Sequence, residues 1–118
     1  MNALLMVALG GALGGVLRYS LGLWVQQPWA TLCVNLLGSF IIGGCAVYFA
    51  SAENPLLRLL IITGILGGFT TFSAFSLESI ALLQNAMWAQ AALYIGGNIV
   101  GGLLACVLGM WLVRLITG

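Results

Sequence analysis

Apolar residues run almost without interruption through four stretches of this chain, separated by short polar breaks. The first extends from about residue 3 to 25 and stops at Gln26-Gln27-Pro28. The second covers about 29 to 50 and gives way to Ser51-Ala52-Glu53-Asn54-Pro55, the most polar segment present. The third runs from about 56 to 83, and the fourth from about 88 to 116 after a small turn at Gln84-Asn85-Ala86. A helix across the hydrocarbon layer needs roughly 20 apolar residues. The pattern therefore predicts an all-α integral membrane protein, one four-helix transmembrane domain over residues 1–118.

Aromatic positions agree with that count. Trp24, Trp29 and Trp88 fall at one set of span ends, and Tyr48 and Trp111 at the other, as interfacial belts require. The third stretch is too long for a straight crossing. Its centre, Gly67-Gly68-Phe69-Thr70-Thr71, combines adjacent glycines with adjacent hydroxyls. Backbone at this depth can leave the helix only where protein or a polar cavity satisfies it, so a break is expected there.

Composition excludes most other classes. Among 118 residues, 63% are hydrophobic and 4% charged, against about 25% charged in an ordinary soluble domain. Histidine and lysine are absent, so no nucleophile–base pair is available and an enzyme is not expected. Cys33, Cys45 and Cys106 lie in apolar stretches without metal-ligand spacing and read as small buried hydrophobes. The first stretch lacks a basic leader and continues through Arg18 and Tyr19, which reads as a permanent span rather than a signal peptide. Four spans put Arg58 and Arg114 on one side and Arg18 toward the other, too small a bias to choose an orientation. Insertion both ways round, with two copies pairing antiparallel about a twofold axis, follows as an expectation.

Few residues remain to carry chemistry. Asn35 stands about 9 Å into the second helix at 1.5 Å per residue, on one face with Thr31 and Ser39. That stripe is either structural glue or the wall of a polar path. Phe72 and Phe75 share a face at i, i+3, extended by Ser76 and Ser79. Ring edges are electropositive and can face a small anion. Unwinding near Thr70 and Thr71 would free carbonyls for a cation. Arg18 either snorkels, bonding carbonyls at helix ends, or makes an anion-attracting vestibule. Glu78 is either a gatekeeper at a pore mouth, or simply a partner for Arg18 or an interfacial polar residue. Gly10-x-x-x-Gly14, Gly11-x-x-x-Gly15 and Gly97-x-x-x-Gly101 predict close helix contact.

Three of these segments carry a resemblance. Gly10-Gly11-Ala12-Leu13-Gly14-Gly15-Val16-Leu17-Arg18-Tyr19, Thr31-Leu32-Cys33-Val34-Asn35-Leu36-Leu37-Gly38-Ser39-Phe40 and Gly64-x-x-Gly67-Gly68-Phe69-Thr70-Thr71-Phe72-Ser73-Ala74-Phe75 resemble motifs of the small bacterial fluoride channels called Fluc or CrcB. They occur in the same order, on the same spans. Ala74 stands where that motif usually has threonine, and Gly15 and Ala30 exchange one small residue for another.

The resemblance implies an antiparallel, dual-topology homodimer in the bacterial inner membrane, passing fluoride selectively out of the cell, with no nucleic-acid partner. It further implies Phe72 and Phe75 as ring-edge residues of a pore and Asn35 as the pore asparagine. Thr31, Ser73 and Ser76 correspond to pore-lining hydroxyls. Gly67 and Thr70 correspond to carbonyl donors to a sodium ion on the dimer axis. Arg18 matches the family arginine, and Tyr94 and Asn98, at i, i+4, lie along the same polar track. The rival reading, a small multidrug-type proton-coupled transporter, needs an acidic residue in the first span, where this chain has Arg18 instead.

Overall fold

The structure is a computed structural model and describes residues 2–118. Four helices are long and apolar enough to cross a membrane. Helix α1 is Asn2–Gly22 and α2 is Trp29–Ser51. The third span, Pro55–Gln84, consists of α3 (residues 55–69) and α4 (Phe72–Gln84), and the fourth span is α5 (Trp88–Thr117). The helical part of the first span stops at Gly22, three residues short of the expected Val25, and Leu23–Val25 form a turn bonded back to Ser20 and Leu21. The long axis measures 49 Å, enough to reach through a bilayer of about 40–45 Å including headgroups.

Local chemistry sets the helix ends. Asn54 caps α3, its side chain accepting the Leu57 N–H at 3.2 Å, with Pro55 in the first turn where no amide proton is needed. At the far end of α4, the Ala86 N–H bonds to the Leu83 carbonyl and the Met87 N–H to the Leu82 carbonyl. This is a Schellman termination, and it holds Ala86 in the left-handed region at φ 56°. Both α3 and α5 widen into π-type turns, over Leu59–Leu66 and Gly97–Gly101.

The spans assemble as two closely packed pairs, α1 with α3 and α2 with α5. Glycine makes both approaches possible. A methyl on Gly14 would run into the Ile65 carbonyl, and one on Gly68 would come within 2.7 Å of the Gly11 carbonyl. Across the second pair, methyls on Gly43 and Gly109 would meet the Cys106 and Phe40 carbonyls. In lipid no hydrophobic force draws helices together, so backbone approach and dispersion supply the contact. Of the two expected α1 motifs, Gly10-x-x-x-Gly14 points into this contact, with Gly64 and Gly68 of α3 as its partner glycines, whereas methyls on Gly11 and Gly15 would meet nothing within 4 Å. Gly67 and Gly68 are helical rather than the point of unwinding.

Phe75 and Leu82 of α4 and Ala91 and Tyr94 of α5 form a small buried cluster with Trp29, Leu32 and Ile95. The Tyr94 ring stands edge-on to Trp29 at 6.0 Å between centroids and lies 5.7 Å from Phe75. The cysteines depart from expectation. Cys33 is exposed, and Cys45 and Cys106 are half-buried, since the outer faces of these helices are themselves apolar.

Candidate functional site: a broken helix beside Asn35

The third span breaks at Thr70 (φ −86°, ψ 157°) and Thr71 (φ −150°, ψ 117°), two extended residues between helices. Three of the backbone groups freed there find new partners. In a continuous helix the Thr71 N–H would bond to the Gly67 carbonyl, closing the i to i−4 ring. It donates instead to Asn35 Oδ1 at 2.8 Å. The Ala74 N–H, which would bond to the Thr70 carbonyl, is taken by Thr71 Oγ1 at 3.2 Å, so Thr71 is the N-cap of α4. The Gly68 carbonyl accepts from Arg18 Nε at 3.1 Å. Carbonyls of Gly67 and Thr70 are thereby left out of the helical ladder.

Asn35 makes the break affordable in lipid. Its amide pairs with Thr71 twice, since Nδ2 also donates to the Thr71 carbonyl at 3.1 Å. The same nitrogen donates to Asn98 Oδ1 at 2.8 Å, and Asn98 Nδ2 donates to the Tyr94 carbonyl at 2.9 Å. Gly38, one turn on from Asn35, gives room for this approach, because a methyl there would overlap Thr70 Cγ2. Thr70 itself stays tied to α3, its hydroxyl donating to the Leu66 carbonyl at 2.9 Å.

A groove of about 540 Å³ opens beside the break. Asn35, Gly67, Thr70, Phe72, Phe75 and Asn98, all expected from the sequence, line it. Thr71 and Ser39 line it as well, with apolar residues such as Ile42 and Leu66 completing the wall. The Phe72 and Phe75 rings lie 5.5 Å apart at 49°. The shared face expected for the two rings and the serines is split. Phe75 and Ser79 are buried, while Phe72 is 78% exposed and Ser76 is exposed, its hydroxyl donating to the Phe72 carbonyl at 3.0 Å.

Other expected residues lie outside the groove lining. Ser73 is exposed, 3.5 Å from the Thr71 hydroxyl. Thr31 is 3% exposed and donates to Gln27 Oε1 at 3.0 Å. Glu78 accepts from the Tyr94 hydroxyl at 2.7 Å, so its partner is Tyr94 and not Arg18. Arg18 meets the first of its two expectations, a hydrogen bond to a carbonyl at a helix end. Thr71 is the residue that the sequence reading undervalued. Its signal was a threonine placed immediately before a Phe-Ser-Ala-Phe helix start, an N-cap position.

Electrically the break has two faces. The N-terminus of α4 presents partial positive charge, and the end of α3 presents carbonyl oxygens. The first suits an anion. The second suits positive charge.

These features define a small four-span membrane protein built around a polar groove at a broken third span. Comparison with known proteins identifies its relatives, and the chain belongs to the CrcB family, whose model, described as CrcB-like protein, Camphor Resistance (CrcB), matches residues 5–110. A protein of Rhizobium meliloti named fluoride-specific ion channel FluC is 46% identical, the match covering 97% of this chain and 98% of that one. Proteins of the same name from Thermus thermophilus and Chloroflexus aurantiacus are 50% and 42% identical. Those matches cover 89% of this chain and 88% of the relative in the first case, and the whole of both chains in the second. The chain is thus a multi-pass bacterial membrane protein.

Proposed function

We propose that this protein is a fluoride-selective channel giving passive export of fluoride across the cytoplasmic membrane. The observation that carries the reading is the groove at the Thr70–Thr71 break, where amide, hydroxyl and aromatic groups converge in an otherwise apolar molecule. Its relatives' names point the same way.

Removing water from a small anion costs on the order of tens of kcal/mol by Born-type estimates. A path must replace that hydration and yet hold the ion weakly enough to release it. Phe72 and Phe75 offer ring edges, and Asn98 and Ser39 offer N–H and O–H groups. Asn35 belongs to the same wall, and the exposed hydroxyls of Ser73 and Ser76 stand near the break. The Arg18 guanidinium raises the local anion concentration near the break.

A second copy completes the path. Phe72 is an unpacked ring on the rim of an open groove, which an inverted copy would cover. The weak arginine asymmetry permits both orientations. Gly67 and Thr70 carbonyls from two such copies would hold a sodium ion, which would supply fixed positive charge at the subunit boundary.

The test is fluoride release from vesicles carrying the purified protein, with chloride release as control. Fast fluoride loss with chloride retained is the expected result. Vesicles that keep fluoride as well as protein-free ones overturn the proposal. Proton-driven uptake of an organic cation would favour the multidrug-type reading, which the absence of any acid in α1 disfavours.

A further inference from the structure

We propose that Asn35 is a positioning residue rather than an ion ligand, and that Asn98 supplies the amide donor facing the groove. This deepens the reading of the site as an anion path and rests on it for the identity of the ion.

A neutral side-chain amide has two N–H donors and one carbonyl oxygen. Both Asn35 Nδ2 hydrogens end on protein acceptors, the Thr71 carbonyl and Asn98 Oδ1, and its Oδ1 accepts the Thr71 N–H. Backbone polarity fixes this orientation. The Thr71 N–H demands an oxygen and the Thr71 carbonyl demands a donor, so a flipped Asn35 would break both bonds. The remaining Asn35 hydrogen then fixes Asn98, which must present Oδ1 to it and Nδ2 to the Tyr94 carbonyl. The order of constraint runs from the broken backbone outward.

Asn98 ends this chain of constraint with one amide hydrogen to spare. A single hydrogen bond, to the Tyr94 carbonyl, uses its Nδ2 group, and Asn98 lines the groove. Turning Asn35 toward an ion would instead orphan backbone groups of Thr71 at membrane depth, which is costly. Hydroxyls differ, since they reorient by rotation about one bond. The residue that looks most like a ligand by sequence is therefore the latch that keeps α3 and α4 apart.

Two measurements on the full-length protein in lipid nanodiscs decide the matter. The first follows the side-chain amide resonances of Asn35 and Asn98 and the backbone amide of Thr71 while potassium fluoride is added, with potassium chloride as control. Asn98 resonances should move with fluoride and broaden through contact with the fluorine nucleus, while those of Asn35 and Thr71 stay in place. Asn35 resonances that follow fluoride overturn the proposal. So does a failure of the Asn98 resonances to move.

The second compares amide-proton exchange in wild type and Asn35→Ser. Thr71 should exchange roughly tenfold faster in the variant, the factor carried by one ordinary hydrogen bond, with α1 and α2 amides unchanged. An unaltered Thr71 rate overturns the latch. This second readout does not depend on fluoride. Vesicles that fail to leak the ion would sink the channel reading and leave the latch to be judged by Thr71 alone.

Discussion

Phe72 and Phe75 sit three residues apart and have opposite surroundings. Phe75 is 8% exposed and packs against Tyr94, whereas Phe72 is 78% exposed at the groove rim. Phe75→Ala removes a packed ring, and its expected cost is about 3 kcal/mol of stability. Phe72→Ala should leave the single chain's stability within about 0.5 kcal/mol and lower fluoride flux roughly tenfold, as loss of one aromatic interaction of about 1.5 kcal/mol would. Thermal melts in micelles beside vesicle efflux separate the two effects. Equal destabilisation by both substitutions would contradict the division between the packed ring and the exposed one. The sequence alone could place both rings on one face, because i, i+3 spacing is a property of the helix. It could not say which ring the Trp29–Tyr94 cluster would cover, since that depends on how α2 and α5 approach α4.

At the scale of elements, the glycines of α1 give a matched pair of tests. Gly14 faces the Ile65 carbonyl, while a methyl on Gly15 would meet nothing within 4 Å. Gly14→Ala should destabilise by about 1–3 kcal/mol through forced separation of α1 and α3. Gly15→Ala should be neutral, or gain up to about 1 kcal/mol from higher helix propensity. The same micelle melts check this, and equal effects would contradict the packing described. Helix number and span positions were legible because lipid demands long apolar runs with polar turns. The broken third span was legible too, from its length and the Gly-Gly-Phe-Thr-Thr segment. Within that segment the break falls at the threonine end, for a physical reason. Gly68 serves close packing against α1, and the unwinding falls on Thr70 and Thr71, where Asn35 can replace the lost backbone bonds. Partnerships between distant residues, such as Glu78 with Tyr94, left no mark in local spacing.

The whole molecule is two helix pairs with a latch between them. Its open groove and exposed Phe72 ring make a single chain look incomplete as a conduit. If copies insert both ways, a cysteine introduced by Glu53→Cys in the α2–α3 turn should react with an impermeant maleimide on about half of the chains from either side, as the weak charge bias implies. Labelling confined to one side would contradict an antiparallel pair. The central claim concerns which ion crosses. It is tested most directly in a planar bilayer holding the purified protein, with fluoride on one side and chloride on the other. The account predicts a current that reverses near the fluoride equilibrium potential and does not respond to chloride. Reversal set by chloride, or a bilayer that stays silent at every fluoride gradient, would contradict it.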